Sequence, residues 1–537
     1  MKVLKFGGTS VANAQNIKLV LDIVQKQAKQ DQLIVVVSAL SKVTDLLQLA
    51  SQKAAANDEE YKEIVAEIEK KHLDTLKEFI PVSEQSSLLS HIKRIINHLE
   101  TLLDGCYLLG ELSSRTADTI LSFGELLSSY IIAEALKQNL KNSSYKDSRE
   151  LIKTNTNFGK AAVNFEITNQ LIVDYFASNE SQVVVMPGFI ASSVDGIITT
   201  LGRGGSDYTA AILAGALDVT DLEIWTDVNG MFTANPKIVK QAQPIATISY
   251  QEAMELSHFG AKVLYPPTIQ PVLRKNIPIH IKNTFEPEAE GTFISNNAVA
   301  NGNPVKGISH IDNITLITLE GPGMIGVLGS SKRLFEVLSQ ANVNVIFITQ
   351  ASSEHSICIG ILNSDAVAAE EAINKAFEIE ILQNKIEACI VEKDLCIIAL
   401  VGENMKNHQG LSGKMFSTLG KNNVNIRAIA QGASERNISA VINERDVKKA
   451  LNTLHERFFE DNTKQLNLFV MGVGNVGEKF IDQISQQKKF LKDNLKINLR
   501  VIALANSRKM LFDEDGIDLK SWQNLLDNGE KADQQLF

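Results

Sequence analysis

The chain begins with an apolar run that leads directly into a glycine-rich turn, Val3-Leu4-Lys5-Phe6-Gly7-Gly8-Thr9-Ser10. Paired glycines let backbone N–H groups approach phosphate oxygens, and Lys5 adds a positive charge beside them. Similar apolar runs occur at 33–38, 183–186 and 222–225, with amphipathic stretches between them. This alternation predicts an α/β fold with a mostly parallel sheet between helices.

A second glycine-rich turn, Gly202-Arg203-Gly204-Gly205-Ser206-Asp207, also follows a strand-like segment and precedes a helix. Because the carboxyl ends of parallel strands meet at one edge of a sheet, we expect Lys5, Arg203 and Asp207 to lie close together there. No G-x-x-x-x-G-K-[ST] sequence occurs, so a Walker loop is excluded. Either turn alone is explained as an ordinary glycine turn, and only the pair indicates a phosphate site.

Composition excludes several classes of protein. The 537 residues are 44% hydrophobic and 22% charged, as expected for roughly three to four folded domains. The net charge of −10 disfavours nucleic acid and anionic membranes as partners. Four cysteines without a C-x-x-C pair and nine histidines without a ligand cluster indicate neither disulfides nor a metal site. With no secretory signal and no apolar stretch near about 18 residues, we expect a cytoplasmic protein.

The segment 314–361 is repeated at 395–442, without a gap and at a constant offset of 81 residues. The register aligns two Asn-Val-Asn triplets and matches Gln350 with Gln431. Each copy has the order strand, loop, helix, strand, strand. The period is longer than that of most solenoid repeats, so we predict a duplicated small α+β domain.

A third kind of sequence begins after Gln465. The apolar run 466–471 leads into Gly472-Val473-Gly474-Asn475-Val476-Gly477, an amphipathic helix and a second strand at 499–505. This pattern predicts the start of a Rossmann unit. Arg508 follows the second strand, where an acidic residue is usual, which favours the 2′-phosphate of NADP(H). The 32 residues that remain are too few for a whole doubly wound domain.

Five motifs of the first 295 residues stand in a fixed order: K-F-G-G-T-S at 5–10, S-F-G-E at 122–125, G-R-G-G-S-D at 202–207, W-T-D-V-x-G at 225–230 and F-G-A-K-V-L at 259–264. In order and spacing they resemble aspartate kinases of the amino-acid kinase family. The repeat resembles tandem ACT domains of ferredoxin-like α+β fold, and the third region resembles the opening of a homoserine dehydrogenase. Together they resemble bifunctional aspartokinase/homoserine dehydrogenases, truncated within the Rossmann domain.

The domain boundaries follow from these regions and from a linker-like stretch at 286–303. We predict an aspartate kinase catalytic domain at 1–295, a regulatory region at 296–465 with ACT domains at about 310–388 and 389–465, and the N-terminal part of an NADP-binding dehydrogenase domain at 466–537.

The resemblance implies a role for each motif residue. The catalytic pair is Lys5, which stabilises the moving γ-phosphoryl group, and Asp207, which orients Lys5. The aspartate-binding residues are Ser38, Thr44, Glu125 and Arg203. The nucleotide-binding residues are Gly7, Gly8, Thr9, Ser10, Thr226, Asp227, Phe232, Lys237 and Lys262. The candidate effector contacts are Gln350 and Gln431, and the candidate NADP(H) contacts are Gly472, Gly474, Gly477 and Arg508. Phe232 and Lys237 stand where the family commonly has Tyr and Arg, which weakens nucleotide contacts.

The leading hypothesis is a feedback-regulated aspartate kinase that uses ATP with Mg²⁺ and forms 4-phospho-L-aspartate. By analogy with the bifunctional proteins, the effector is an amino acid such as threonine, and the ACT domains pair subunits into a dimer or tetramer. NADP(H) is expected only with a complete dehydrogenase domain, so we expect no homoserine dehydrogenase activity. One alternative is an amino-acid-sensing regulatory chain with an inert kinase domain, and another is a protein that acts mainly as a dehydrogenase.

Overall fold

The computed structural model describes residues 1–258, 264–265, 269–296, 303–325, 329–350, 355–403, 405, 408–432, 436–460, 464–495 and 497–533. These residues form two compact units. The first comprises Met1–Thr233, Gln243–Gln409 and Arg427–Glu444, and the second comprises Ala234–Ala242, Gly410–Ile426 and Arg445–Phe537. The domain boundaries at 295 and 465 stay predictions.

The N-terminal part of the first unit is an α/β structure. Its strands are β1 (Lys2–Phe6), β2 (Leu33–Val37), β3 (Ser143–Tyr145), β4 (Lys153–Thr154), β5 (Val183–Pro187), β6 (Ile190–Ser193), β7 (Ile198–Thr200), β8 (Asp221–Thr226), β9 (Thr247–Ile248), β10 (Ile279–Asn283) and β11 (Thr292–Ile294). Its helices are α1 (Ala14–Gln27), α2 (Val43–Ala55), α3 (Tyr61–Phe79), α4 (Val82–Leu109), α5 (Ser114–Asn139), α6 (Ser148–Leu151), α7 (Phe165–Ser178), α8 (Gly205–Leu217), α9 (Tyr250–His258) and α10 (Gln270–Leu273).

Eight of these strands form one sheet in the order β3-β5-β2-β1-β8-β10-β11-β9. The neighbours from β3 to β10 are all parallel, whereas β11 pairs antiparallel with β10. The turns after β1, β2, β5 and β8 therefore open at one edge of the sheet, as predicted. β4, β6 and β7 form a separate three-stranded sheet. The loop after β7 lies near the same edge of the large sheet, because Gly202 and Arg203 line one cavity with Lys5.

Each sheet face is covered by its own core. Because side chains alternate along a strand, Leu4 packs into the cluster with α2 to α5, whereas Val3 packs into the cluster with α7 and α8. We expected no apolar stretch of membrane-spanning length. This expectation is wrong for α5, which is long enough and apolar enough to cross a membrane. However, 78% of its apolar window is buried inside the protein, which is how a core helix packs.

The repeat forms a six-stranded sheet in the order β13-β14-β12-β15-β17-β16, in which the neighbours from β13 to β17 are antiparallel. The strands are β12 (Gly307–Glu320), β13 (Phe347–Gln350), β14 (Ser356–Leu362), β15 (Ile390–Val401), β16 (Ile426–Gln431) and β17 (Asn437–Asn443). The accompanying helices of the first copy are α11 (Ser330–Gln340), α12 (Ala366–Ala376) and α13 (Glu378–Leu382). The aligned Asn342 and Asn423 both adopt positive φ, 56° and 54°, so the two copies share a backbone feature as well as sequence.

The second unit contains α14 (Leu411–Lys421), α15 (Val447–Phe459), β18 (Lys464–Met471), α16 (Asn475–Leu495), β19 (Ile497–Ala505), β20 (Lys509–Phe512), α17 (Trp522–Asp527) and β21 (Glu530–Lys531). β18 and β19 are parallel and flank α16 in sequence, which confirms the predicted βαβ opening. β20 and β21 then add antiparallel strands. The described part of this region is thus one βαβ unit with a β-hairpin extension.

Candidate active site

A cavity of about 630 Å³ lies where the carboxyl ends of β1 and β2 meet the first turn of α8. It brings together most of the residues predicted to bind aspartate and the phosphoryl group. Those that line it are Lys5, Gly8, Thr9, Ser38, Thr44, Glu125, Arg203 and Asp207. Because these residues are up to about 200 positions apart in the sequence, the fold itself assembles the site.

The catalytic pair predicted from sequence is in contact. The Nζ atom of Lys5 lies 2.6 Å from Oδ1 of Asp207, and the two side chains are only 11% and 14% exposed. Lys5 comes from the end of β1 and Asp207 from the first turn of α8. A Cβ atom on Gly7 would lie 3.6 Å from this Nζ, so glycine leaves room for an anion beside the ammonium group.

The first glycine turn is fastened at both ends. The Gly7 amide donates to the carbonyl of Trp225 at 3.2 Å, and the fully buried Ser10 hydroxyl lies 2.7 Å from that of Thr284. Ser10 therefore contacts protein in this structure, and its predicted contact with the nucleotide stays a prediction. Between the anchors, the amides of Gly8 and Thr9 donate to no other described group and are free to bind phosphate oxygens.

Glu125 is the buried acid of the cavity. It lies on α5, is 4% exposed, and its Oε2 atom has no hydrogen-bond partner in the described chain. Burial raises the pKa of this carboxyl to about 8, although a hydrogen bond from the backbone of Ala39 acts in the opposite direction. A buried carboxylate oxygen without a partner is suited to a cationic ligand group, since the ammonium group would restore the lost interactions.

The second glycine turn places Arg203 beside α8. Gly202 and Gly204 have positive φ values of 74° and 69°, which glycine adopts without steric cost. A Cβ atom on Gly188 would lie 2.5 Å from Cβ of Ser206. Only a glycine at 188 therefore lets the turn after β5 approach the start of α8, where Asp207 lies.

Sequence reasoning missed Phe189, which lines the cavity with φ of 66°. A bulky residue in this region is strained, and such strain is common at functional sites. The amide of Phe189 is held in place because it donates to Oγ1 of Thr209 at 3.0 Å. The Pro-Gly pair before it signals a turn but gives no hint of the strain. Lys42 and Asp45 also line the cavity and were not predicted.

The residues predicted for the nucleotide lie mostly beyond this cavity. Thr226 ends β8, next to β1, and its hydroxyl donates to the carboxylate of the following Asp227 at 3.2 Å. Phe232 is half-buried in the following loop and forms a bridge with Pro244. Lys237 belongs to the second unit, and Lys262 lies outside the described residues. Their roles stay predictions.

The predicted effector and cofactor residues lie elsewhere. Gln350 ends β13 and Gln431 ends β16, at opposite edges of the six-stranded sheet. In the second unit, Gly472 has φ of 95°, and a Cβ atom on Gly477 would lie 2.0 Å from the carbonyl oxygen of Gly472. The glycine turn thus has the tight geometry that the sequence predicts. Arg508 is exposed just after β19.

Comparisons with known proteins follow this organisation. The model of the "Amino acid kinase family" matches residues 1–283, and an ACT domain model matches residues 317–377 and 398–458. The chain is 38% identical over its whole length to "Bifunctional aspartokinase/homoserine dehydrogenase 1, chloroplastic" of Arabidopsis thaliana, of which it covers 59%. It is 37% identical over 98% of its length to the bifunctional protein of Haemophilus influenzae, of which it covers 65%. The chain therefore spans about three-fifths of the length of these relatives.

Solved structures agree with the sequence matches. Aspartokinase III of E. coli, in complex with aspartate and ADP, matches with a TM-score of 0.73 at 30% identity, covering 86% of this chain and 100% of that one. The same protein in complex with lysine and aspartate matches with a TM-score of 0.68 at 31% identity and the same coverage. From its fold, its site and these similarities, the chain belongs to the amino acid kinase family and, within it, to the aspartokinases.

Proposed function

We propose that this chain transfers the γ-phosphoryl group of ATP to the side-chain carboxylate of L-aspartate, giving 4-phospho-L-aspartate. The observation that carries the proposal is the buried Lys5–Asp207 ion pair, which lies in one cavity with Glu125 and Arg203. The aspartate and ADP bound to the E. coli relative support the same substrate and nucleotide here.

The reaction needs alignment and charge neutralisation more than proton transfer. The aspartate carboxylate is ionised at neutral pH and is already a nucleophile, so no general base is required. Lys5 neutralises charge on the transferring group, and the amides of Gly8 and Thr9 bind its oxygens. Asp207 holds the Lys5 ammonium group at the carboxyl edge of β1.

Two charged residues suit the amino-acid part of the substrate. The guanidinium group of Arg203 binds the α-carboxylate in bidentate fashion, and Glu125 binds the α-ammonium group. Ser38 and Thr44 line the same cavity and provide neutral hydrogen-bonding groups. An inert sensor is the weaker alternative, because the buried catalytic pair and both substrate-binding side chains, Glu125 and Arg203, lie in one cavity.

Mg²⁺ is expected to arrive with ATP. In the described residues, no group of three or more His, Cys, Asp or Glu side chains is arranged to hold a metal ion. An ion that comes with ATP is bound mainly by phosphate oxygens and by one or two carboxylates. Asp207 and Asp45 are the cavity carboxylates that would face it. When bound, the ion supplies charge neutralisation to the phosphates.

Regulation is proposed to act through the repeat. ACT modules bind amino-acid effectors, and the lysine complex of the E. coli relative supports an amino acid in this role. We assign threonine as the effector, Gln350 and Gln431 as its contacts, and a dimer or tetramer as the assembly. The proposed location is the cytoplasm.

The region after residue 465 is proposed as the N-terminal part of a homoserine dehydrogenase domain. The close approach of Gly477 to Gly472 fits a pyrophosphate-binding turn. NADP(H) is proposed as the cofactor only of a complete dehydrogenase domain. Among the described residues of this region, the exposed large apolar side chains are Leu466, Phe469, Met471, Val476, Phe480, Phe490, Leu495, Phe512 and Leu525.

A coupled assay of ADP release tests the kinase proposal. Release should require L-aspartate, should not occur with L-glutamate, and should be lost in Lys5→Ala. Repeating the assay with threonine, lysine or methionine should show inhibition by threonine. ADP release that is independent of aspartate, or unchanged in Lys5→Ala, contradicts the proposal.

A further inference from the structure

Asp118 is a second buried carboxylate on the helix that carries Glu125. It is 2% exposed and lies seven residues before Glu125 on α5. Seven residues are close to two helical turns, so the two carboxylates lie on the same face of the helix. They differ in their hydrogen bonds. Glu125 has one oxygen without a partner, whereas both oxygens of Asp118 accept hydrogen bonds from the protein.

Asp118 joins two separate segments of the cavity wall. Both of its oxygens accept from the amide of Gly159, at 3.0 Å each. They also accept from the amide of Thr200 at 2.8 Å and from its hydroxyl at 3.0 Å. Gly159 and Thr200 both line the 630 Å³ cavity. The two amides can only donate, so they need acceptor oxygens, whereas the Thr200 hydroxyl can donate or accept.

The same two segments also contact each other beside Arg203. The amide of Ala161 donates to the carbonyl of Thr200 at 3.0 Å. A Cβ atom on Gly202 would lie 3.0 Å from the carbonyl oxygen of Gly159. Because Gly202 and Arg203 follow closely after Thr200, the contact between α5, β7 and the loop at 155–162 sets the backbone from which the Arg203 side chain extends.

We propose that Asp118 is a positioning residue for the substrate. It fixes the Arg203 turn relative to Glu125, and therefore sets the separation of the two groups that bind the carboxylate and ammonium of the amino acid. A buried, charge-assisted set of hydrogen bonds is strong enough to hold two loops at fixed positions relative to each other. Because Asp118 lies on the helix and not on either loop, it couples both loops to the element that carries Glu125. This inference rests on the proposed function.

The test is Asp118→Asn, which keeps the side-chain shape, replaces one acceptor oxygen by an NH2 donor and removes the negative charge from the hydrogen bonds to Gly159 and Thr200. We expect the KM for aspartate to rise on the order of 10- to 100-fold, with the KM for ATP within about twofold, because misplacement of a binding group by about an ångström has effects of this size. Thr200→Val, which removes only the hydroxyl donor, should give a smaller rise in the same direction. An unchanged KM for aspartate in Asp118→Asn overturns the inference.

The matched control is Glu252→Gln. Glu252 is also a buried carboxylate, 4% exposed, and accepts from the amides of Ser249 and Glu403 at 3.1 Å and 2.8 Å. It does not line the cavity, so its variant should lose thermal stability without a change in the KM for aspartate. A rise equal to that of Asp118→Asn would show that any lost buried carboxylate has this effect, and would contradict a positioning role.

Hydrogen exchange separates this inference from the kinase proposal. In Asp118→Asn, the amides of Gly159 and Thr200 should exchange at least about tenfold faster, whether or not the chain phosphorylates aspartate. If the wild-type protein shows no aspartate-dependent ADP release, the kinase proposal fails and exchange alone decides the role of Asp118. Unchanged exchange rates of the Gly159 and Thr200 amides overturn the proposed role of Asp118.

Discussion

The Nζ atom of Lys5 lies 2.6 Å from Oδ1 of Asp207, and both side chains are largely buried at the carboxyl edge of the sheet. This pair links β1 to the first turn of α8, two elements that are far apart in the sequence. Because the ammonium group is held beside the glycine turn, it meets the phosphoryl group at a fixed place.

Replacing Lys5 should therefore greatly slow turnover. We expect kcat to fall by about 10²- to 10³-fold or more in Lys5→Ala, because a preorganised charge next to the transferring group is lost. Lys26→Ala is the matched control, since Lys26 is 74% exposed and pairs with Glu288 at the surface. A Lys5→Ala enzyme as active as Lys26→Ala is incompatible with the assigned role.

Aspartate binding should depend on the ionisation of Glu125. The pKa of this buried carboxyl is about 8 in the unliganded protein, and only its charged form attracts an ammonium group. Below pH 8, the KM for aspartate should rise by up to about tenfold each time the pH falls by one. Glu125→Gln should raise this KM and remove the slope between pH 6 and 8; a persistent slope would place the titrating group elsewhere.

The same carboxyl should destabilise the unliganded protein at alkaline pH. Its folded pKa of about 8 lies above the usual 4.5, so between these values the folded state retains a proton that the unfolded state releases. The free energy of unfolding then falls as the pH rises from 4.5 to 8. Relative to wild type, Glu125→Gln should be more stable at pH 8 by roughly 2 kcal/mol or more. Equal stability at pH 8 in chemical denaturation would refute this.

His72 should make the folded protein less stable at acid pH, which is the opposite of the pH dependence expected for Glu125. His72 is fully buried in α3, and burial lowers its pKa from 6.5 to about 4. Between pH 6.5 and 4 the unfolded state binds a proton that the folded state does not, so stability falls as the pH falls through this window. The loss of unfolding free energy across the window should approach roughly 3 kcal/mol. His72→Gln should flatten the profile, whereas His98→Gln, at an exposed site, should not.

Gly188 tests whether the start of α8 must pack closely on the turn after β5. An alanine Cβ there would lie 2.5 Å from Cβ of Ser206, so Gly188→Ala should displace Asp207 and lower kcat by about 10²-fold. Gly105→Ala is the control, because a Cβ at this helical position meets nothing within 4 Å. It should retain full activity and gain about 0.5–1 kcal/mol of stability. Equal activity of the two variants would exclude the close-packing argument.

Local patterns predicted the buried strands, the glycine turns and the cavity residues Lys5, Arg203 and Asp207, because each of these residues lies in a glycine-rich turn after a strand. Glu125 was implied only by the resemblance to aspartate kinases. Local patterns did not reveal Asp118 or Phe189. Asp118 acts through Thr200, 82 positions away, and the strain at Phe189 depends on backbone conformation. Neither property leaves a periodic or compositional signal. Likewise, the composition of α5 alone passes for a membrane helix, and only its burial in the fold identifies it as a core helix.

The most direct measurement of the central claim is identification of the product. The wild-type chain, incubated with ATP, Mg²⁺ and L-aspartate in the presence of hydroxylamine, should yield β-aspartyl hydroxamate, because hydroxylamine traps an acyl phosphate on the side chain. The Lys5→Ala chain should form the hydroxamate at least about 10²-fold more slowly. ATP consumption by the wild-type chain without formation of the hydroxamate would contradict the account.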